Sequence, residues 1–388
     1  MMFPSHARPA HAVGHRSGPV FAPECRHDST QVRCPRLGAG TAATVILAAQ
    51  SCSGDRMMAR NRCPVFVMGC PRSGTNLLYD TLLSSGGFAV YRGRLPVHQV
   101  LIPHFGQLDR LEHRKRIMAA WLRSKGFRKT ELDGAELTAN VLENCHNGGD
   151  FLRIVMDEIA RKQQVSRWAV YDPDTVLRVE TIKREIPDAL FVHIIRDGRD
   201  IAVSLRKLGE FKPLPWNRGP RSLEETALYW KWMVQKGRRA GWLISKDYTE
   251  VHYEDLVTEP RRALRDLGQF LEHDLDYERI QTAALGTISK TNSSFRDEVG
   301  DRLNAVQRWK EKLSPDQVAS LEWLVGDTLE AVGYARTAPA GDWKPGVRDR
   351  LLRTIYPSFL EAKQQVKTKT LLGRFSSLAE LELTPDAG

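Results

Sequence analysis

The sequence predicts an α/β protein in which helices flank a parallel sheet, and three observations carry the prediction. Two short runs, Pro64–Gly69 (PVFVMG) and Ala189–Ile195 (ALFVHII), are apolar apart from His193 and do not alternate, the pattern of strands buried on both faces. Each run ends in a polar, glycine-containing turn. Each turn leads into a stretch with helical spacing, so strand, loop and helix repeat in the order of a βαβ unit.

Taken in chain order, residues 1–60 are rich in Pro, His, Arg, Gly and Ala, carry seven Arg against three acids, and show neither helical nor strand periodicity. They are expected to be a disordered leader. The pair Met57-Met58 just before the first strand suggests that the natural start lies there. After the strand Pro64–Gly69, the helix Thr75–Ser84 sets Leu77, Leu78, Thr81 and Leu82 near one face. A helix near Thr175–Glu185 stops before Pro187, and the strand Ala189–Ile195 leads to a helix over Asp200–Lys207. Phe211–Pro220 reads as a loop, and Leu223–Trp242 as a long amphipathic helix. Thr249–Tyr253 is an expected strand, followed by helices at Pro260–Leu271 and Pro315–Val332, the latter ended by Gly333. The expected organisation is a leader (1–60), one enzyme-sized domain (61–335), and a C-terminal helical extension and tail (336–388) with a helix at Val347–Gln365.

Lys and Arg number 57 against 47 Asp and Glu, a net charge of +10, which favours anionic partners. There is no helix-turn-helix, zinc-ligand or RNP-like pattern, so nucleic acid is not the expected partner. The six cysteines form no C-x-x-C pair and three fall in the leader. This argues against a disulfide or metal framework and for a reducing, cytoplasmic compartment. The longest apolar segment, Ala42–Ala49, is far short of the ~20 residues that span a bilayer.

Gly69-Cys-Pro-Arg-Ser-Gly-Thr-Asn76 joins a buried strand to a helix N-terminus, where backbone N–H groups and the helix dipole favour an anion. Its spacing matches the Walker pattern G-x-x-x-x-G, which makes the fold a P-loop NTPase-like parallel β-sheet flanked by helices. The Lys that should follow the second Gly is Thr75, and the metal-binding hydroxyl is Asn76. An ATP or GTP hydrolase is disfavoured. The loop offers backbone donors, the hydroxyls of Ser73 and Thr75, the Asn76 amide and one cation, Arg72, able to grip an oxyanion through two donors, with no need of a metal.

A second constellation, Arg196-Asp-Gly-Arg-Asp-Ile-Ala-Val-Ser204, begins where the other apolar strand ends. Ligands collect at such carboxyl ends, and Arg196 with Ser204 could hold a second phosphate. Pairing of Arg196 or Arg199 with Asp197 or Asp200 as surface salt bridges is the competing reading.

Pro71-Arg72-Ser73-Gly74-Thr75 and Ile195-Arg196-Asp197-Gly198-Arg199-Asp200 with Ser204, in that order, resemble the sulfotransferase family over about residues 63–335. The bacterial and tyrosylprotein-type branch is the most similar. The resemblance implies transfer of a sulfonyl group from 3′-phosphoadenosine-5′-phosphosulfate (PAPS) to an acceptor hydroxyl, with no metal. It also implies that Arg72, Ser73, Gly74, Thr75 and Asn76 bind the 5′ end of PAPS, Arg196 and Ser204 bind its 3′-phosphate, and Tyr253 packs near the adenine. Ser289 and Arg308 resemble later cofactor contacts.

Transfer needs a base for the acceptor's proton and a cation on the leaving side, the place of Arg72. In Val90–His98, the position where related sequences tend to carry Glu is held by Arg94. His98 is the candidate base in its stead, with His104, Glu143 and His146 as further possibilities, while His193 reads as a core histidine. Two other functions fit the same loops: a P-loop nucleotide or small-molecule kinase, and a non-catalytic protein that binds adenosine 3′,5′-bisphosphate.

Overall fold

The computed structural model of the protein describes residues 59–208, 219–283, 306–338, 343–370 and 381, all within one unit that starts at Met57. The leader up to Met58, residues 209–218 (most of the expected loop among them), and Ser289 lie outside the described residues. In chain order the principal elements are β1 (Val65–Met68), α1 (Thr75–Ser84), β2 (Phe88–Ala89), α2 (Leu111–Leu122), α3 (Gly134–Asn144), α4 (Gly148–Lys162) and β3 (Arg167–Tyr171). They continue with α5 (Val179–Glu185), β4 (Leu190–Ile195), α6 (Gly198–Lys207), α7 (Leu223–Leu243), β5 (Tyr248–His252), α8 (Tyr253–Thr258), α9 (Pro260–Leu271), α10 (Pro315–Ala331) and α11 (Val347–Lys369).

The strands form one sheet in the order β2-β3-β1-β4-β5, every neighbouring pair parallel. Alternation of side chains divides the core between the two faces. Phe66 and Met68 of β1 join Phe191 and the faces of α4 and α7 on one side, while Val65 and Val67 join Val192, α1 and α9 on the other. Burying each such side chain contributes about 1.5–3 kcal/mol, which is why the strands are apolar on both faces. Among the described residues no helix is long and apolar enough to cross a membrane, and Cys63, Cys70 and Cys145 are buried free thiols.

Several expected boundaries move for local reasons. The helix expected over Thr175–Glu185 is two pieces, a 3-10 turn (Pro173–Leu177) and α5, because Asp172 caps the first through the Asp174 N–H and Arg178 leaves the helical region. α6 begins two residues early, at Gly198, since Asp197 accepts the Arg199 N–H at 2.9 Å and so caps it. The last strand ends at His252, and Tyr253 opens α8. β3 escaped the sequence reading because it starts on a charged residue. Arg167 is buried there with its guanidinium donating to the carbonyls of Cys63 (2.8 Å), Leu271 (3.0 Å) and Arg60 (3.1 Å). α11 docks on α7, burying Tyr356 and Leu360 in the main core and accepting a bond from the Trp232 indole at Glu361 (2.8 Å).

Buried charges fasten the turn from β4 into α6. Arg199 binds Asp197 at 2.8 Å and Glu322 of α10 at 2.5 Å, and its guanidinium lies 3.9 Å from the centre of the Trp309 ring. Glu322 also accepts the N–H groups of Thr337 and Ala338, each at 2.9 Å. Asp200 accepts the backbone N–H groups of Gln307 and Trp309, both at 2.9 Å. The surface salt bridges envisaged for this motif are therefore interior, and cutting one partner from such a cluster costs about 3–5 kcal/mol.

Burial pushes the Asp200 carboxyl up to about 6, against the pull of the Arg196 charge and the Trp309 N–H. Because folded Asp200 holds its proton more tightly than the unfolded chain does, its contribution to stability is fully present below about pH 4 and is lost as pH rises through about 6. In urea unfolding at pH 4.5 and pH 7, Asp200→Asn should be less stable than wild type at the lower pH. That deficit should shrink by roughly 2–3 kcal/mol at the higher one. A deficit that does not change with pH would show that Asp200 does not titrate in this range.

Candidate functional site

The first loop is shaped by close approach. A Cβ on Gly69 would lie 2.4 Å from the Ile194 carbonyl oxygen, so the end of β1 is pressed against β4. At Gly74, φ is +99° and a Cβ would lie 2.6 Å from Cδ2 of Tyr253. Both positions exclude a side chain. Arg72 itself adopts φ +76°, a left-handed conformation that costs a non-glycine residue about 1–2 kcal/mol. This turn faces its carbonyl toward the second motif. Ser73 is only 1% exposed, and its hydroxyl has no hydrogen-bond partner among the described residues. Leaving such a hydroxyl unmatched costs about 1–3 kcal/mol, which an incoming oxyanion would offset. Thr75 is buried at the start of α1 and Asn76 is exposed beside it. The first N–H groups of α1 have no acceptor within the helix.

The second motif meets the first in direct contact. Arg72 Nε donates to Ser204 Oγ at 3.1 Å, and Arg196 donates to the Arg72 carbonyl at 3.3 Å. Arg196 is 3% exposed, lies 4.3 Å from the centre of the Tyr253 ring, and faces Asp200 at 3.9 Å. Its own carbonyl accepts the Trp230 indole N–H at 3.0 Å. Tyr253 thus fills the space between Gly74 and Arg196 and braces both motifs. Burial, and then the positive charge of Arg196, lower the pKa of the Arg72 guanidinium from its ordinary value. The loop of Arg72, Ser73, Gly74, Thr75 and Asn76 thus meets Arg196, Ser204 and Tyr253 at the carboxyl ends of β1 and β4, where the crevice of an α/β sheet lies. Its donor set is two guanidiniums, hydroxyls and helix N–H groups, which suits two oxyanions.

The candidate bases lie elsewhere. His98 Nε2 is bonded to Glu185 Oε2 at 2.8 Å, and Glu185 also accepts the Gly149 N–H at 2.8 Å. Burial works to raise the Glu185 carboxyl, but the bond and charge of His98 together with the Gly149 N–H hold it below its ordinary value. Glu185 ends α5 just before β4 begins. His98 also lines a cavity with Arg94, Tyr91, Gln99 and Asp172. Glu143 and His146 are exposed, with His146 3.7 Å from Asp150, and the His104 ring packs on Phe105 at 4.5 Å. His193 is a buried core residue bonded to the Tyr248 hydroxyl at 2.7 Å, and burial drives its pKa down to about 3. Arg308 caps the short helical turn Trp309–Lys312, and the Asp200 bonds to Gln307 and Trp309 bring this segment to the second motif.

Sequence reasoning missed the anchoring roles of Asp200 and Glu322, and it passed over Asp172. The one available signal for Asp172 was an acid directly after the apolar tripeptide Ala169-Val170-Tyr171, a strand-end position of the kind that carries ligands in α/β sheets.

Protein-tyrosine sulfotransferase A of Caenorhabditis elegans is 24% identical over 301 residues, covering 72% of this chain and 70% of that protein. Among solved structures, the sulfotransferase domain of the Synechococcus PCC 7002 olefin synthase is similar at 18% identity with a TM-score of 0.45, over 70% of this chain and 94% of that domain. Sulfotransferase STF9 of Mycobacterium avium is similar at 16% identity with a TM-score of 0.37, over 70% and 78% of the two chains. The profile of the Sulfotransferase family matches residues 64–277, more than half of the chain and both loops of the crevice, and the chain belongs to the sulfotransferase family.

Proposed function

We propose that this PAPS-dependent sulfotransferase holds the 5′-phosphosulfate of PAPS on Arg72, Ser73, Gly74, Thr75 and Asn76, and its 3′-phosphate on Arg196 and Ser204. The observation that carries the reading is the contact of Arg72 with Ser204 and of Arg196 with the Arg72 carbonyl, which joins the two motifs in one crevice. The unmatched Ser73 hydroxyl and the cradle that a Cβ at Gly74 would fill fit an anion of this kind. PAPS supplies the sulfonyl group in an activated form. Arg72 and the N-terminal N–H groups of α1 offset the negative charge that grows on the departing phosphate. Arg196, stacked on Tyr253 and set near Asp200, has its guanidinium held in a fixed direction. The acceptor in this reading bears a hydroxyl, and the cations and N–H groups neutralise the phosphates without a metal.

Calorimetric titration with adenosine 3′,5′-bisphosphate, and with ATP plus magnesium, tests the assignment. The bisphosphate should bind the wild type in preference, and Arg72→Ala and Arg196→Ala should each weaken it about 10- to 100-fold, the worth of a charge-assisted hydrogen bond. Better binding of ATP, or unchanged affinity in both variants, would sink the assignment. Ser73→Ala should weaken bisphosphate binding several-fold yet leave the thermal midpoint the same or slightly higher, because it removes a hydroxyl that lacks a partner in the free protein. A clear drop in that midpoint would mean that the hydroxyl serves the fold instead.

A further inference from the structure

The sheet leaves a cavity beside the crevice. β2 pairs with Arg167 and Trp168, so among the described residues the second half of β3 has no strand partner on that side. A cavity of about 50 Å³ lies there, walled by Tyr79 of α1, by the segment from Tyr91 to Gln99, and by Tyr171 and Asp172. It is large enough for a hydroxyl-bearing end of a molecule, not for a whole nucleotide. The register pairs Val67 with Tyr171, and the Asp172 N–H donates to the Val67 carbonyl at 3.2 Å. Asp172 therefore stands beside Met68, one residue before Gly69, at a strand spacing of about 5 Å. It is the acid set next to the phosphosulfate loop on the side away from β4.

From this placement we infer that Asp172 is the general base of the transferase and that the acceptor hydroxyl enters through this cavity. The inference rests on the reading of the loops as the PAPS site. One Asp172 carboxylate oxygen accepts the Gln99 side-chain amide and the other the Asp174 N–H, at 2.9 Å. The carboxylate is thus aimed by both neighbours and keeps lone pairs for a further proton. Arg94 lines the same cavity. Where related sequences tend to place Glu, this chain has a cation, and the acid stands across the cavity from it. Burial and the neighbouring Asp174 push the Asp172 carboxyl up to about 6, while Arg94, the Asp174 N–H and Arg178 pull it down. Tyr79, Tyr91, Tyr171 and His98 complete the titratable wall. A base raised in this way is stronger yet still ionised near neutral pH.

In the step so assigned, the acceptor oxygen forms a bond to the sulfur of PAPS, and the bond from that sulfur to the bridging phosphate oxygen breaks with its electron pair. The hydroxyl proton passes to the Asp172 carboxylate, which later releases it to solvent. The products are the sulfate ester and adenosine 3′,5′-bisphosphate.

The test incubates PAPS with 4-methylphenol and follows release of the bisphosphate, so that transfer to the phenol and to water are both counted. Asp172→Asn should slow release about 100-fold and abolish the acid limb near pH 6, Asp172→Glu should restore part of the rate and the limb, and His98→Gln should keep the limb. A second readout involves no turnover: 4-nitrophenol changes colour as it ionises. Bound to the bisphosphate complex of the wild type, it should ionise at higher pH than free dye, because the ionised carboxylate beside it opposes a second negative charge, and this shift should vanish in Asp172→Asn. Equal rates in wild type and Asp172→Asn, the same dye transition in both, or a wild type that binds bisphosphate but neither phenol overturns the inference. Bisphosphate titration of every variant reports its fold, and failure of the wild type to bind bisphosphate would overturn the loop assignment itself.

Discussion

The parallel pairing of β1 with β4 is the constraint on which the rest depends. Val65–Met68 runs in register with Leu190–His193, so the two strands end at the same edge and hand the chain to two helices side by side. Parallel strands need crossover connections, and here these carry β2, α2–α4, β3 and α5 between the two. Two loops more than 120 residues apart in sequence are thereby brought close enough for Arg72 to reach Ser204. Gly69 shows how tight the constraint is, since the chain leaves β1 directly against the Ile194 carbonyl, where no Cβ fits.

Much of this was legible in the sequence because the physics is local. An all-apolar run that ends in a glycine turn and a helix start specifies strand, loop and helix within about twenty residues, and both loops of the crevice have that form. Gly74 could be read as a position for special backbone, though what occupies the space beside it could not. Tyr253 arrives there from 179 residues downstream, and only the fold shows that its ring rests on Gly74 and Arg196 together. The charged pairs of Arg196–Asp200 were likewise visible as residues. Whether they faced water or the interior depended on Glu322 and Trp309, which are distant in sequence.

What remained illegible was carried by polar residues that the fold buries. Arg167 makes β3 begin like a surface segment, yet three backbone carbonyls receive its guanidinium in place of water. Hydrophobic periodicity is blind to such a strand, and with β3 unseen the acid at its end had no strand to be placed on. The histidines were easier to notice than Asp172 because imidazole titrates in a useful range wherever it stands. Geometry then separates them: His98 is tied to Glu185, whereas Asp172 stands beside the strand that feeds the loop.

The acids around the crevice explain how two arginines can share it. Asp197 caps α6 and binds Arg199; Glu322 binds Arg199 and the N–H groups of Thr337 and Ala338; Asp200 holds Gln307 and Trp309; Glu254 takes the Tyr334 hydroxyl at 2.6 Å and the Asp197 N–H at 3.1 Å. Each of these carboxylates is committed to backbone or to Arg199, and Asp200 also lies 3.9 Å from Arg196. Arg72, Arg196 and the start of α1 together set a positive field there. In a partly buried setting that field is screened less than it would be at the surface, so it both favours a polyanion and disfavours a neutral ligand of the same shape. The cost is carried by the rest of the fold. Burial of the acids raises Asp200 and Glu254 above their ordinary range, and the left-handed turn at Arg72 adds backbone strain. Stability spent in this way holds the donors in place before the ligand arrives, which is the arrangement that makes their interaction with developing charge effective.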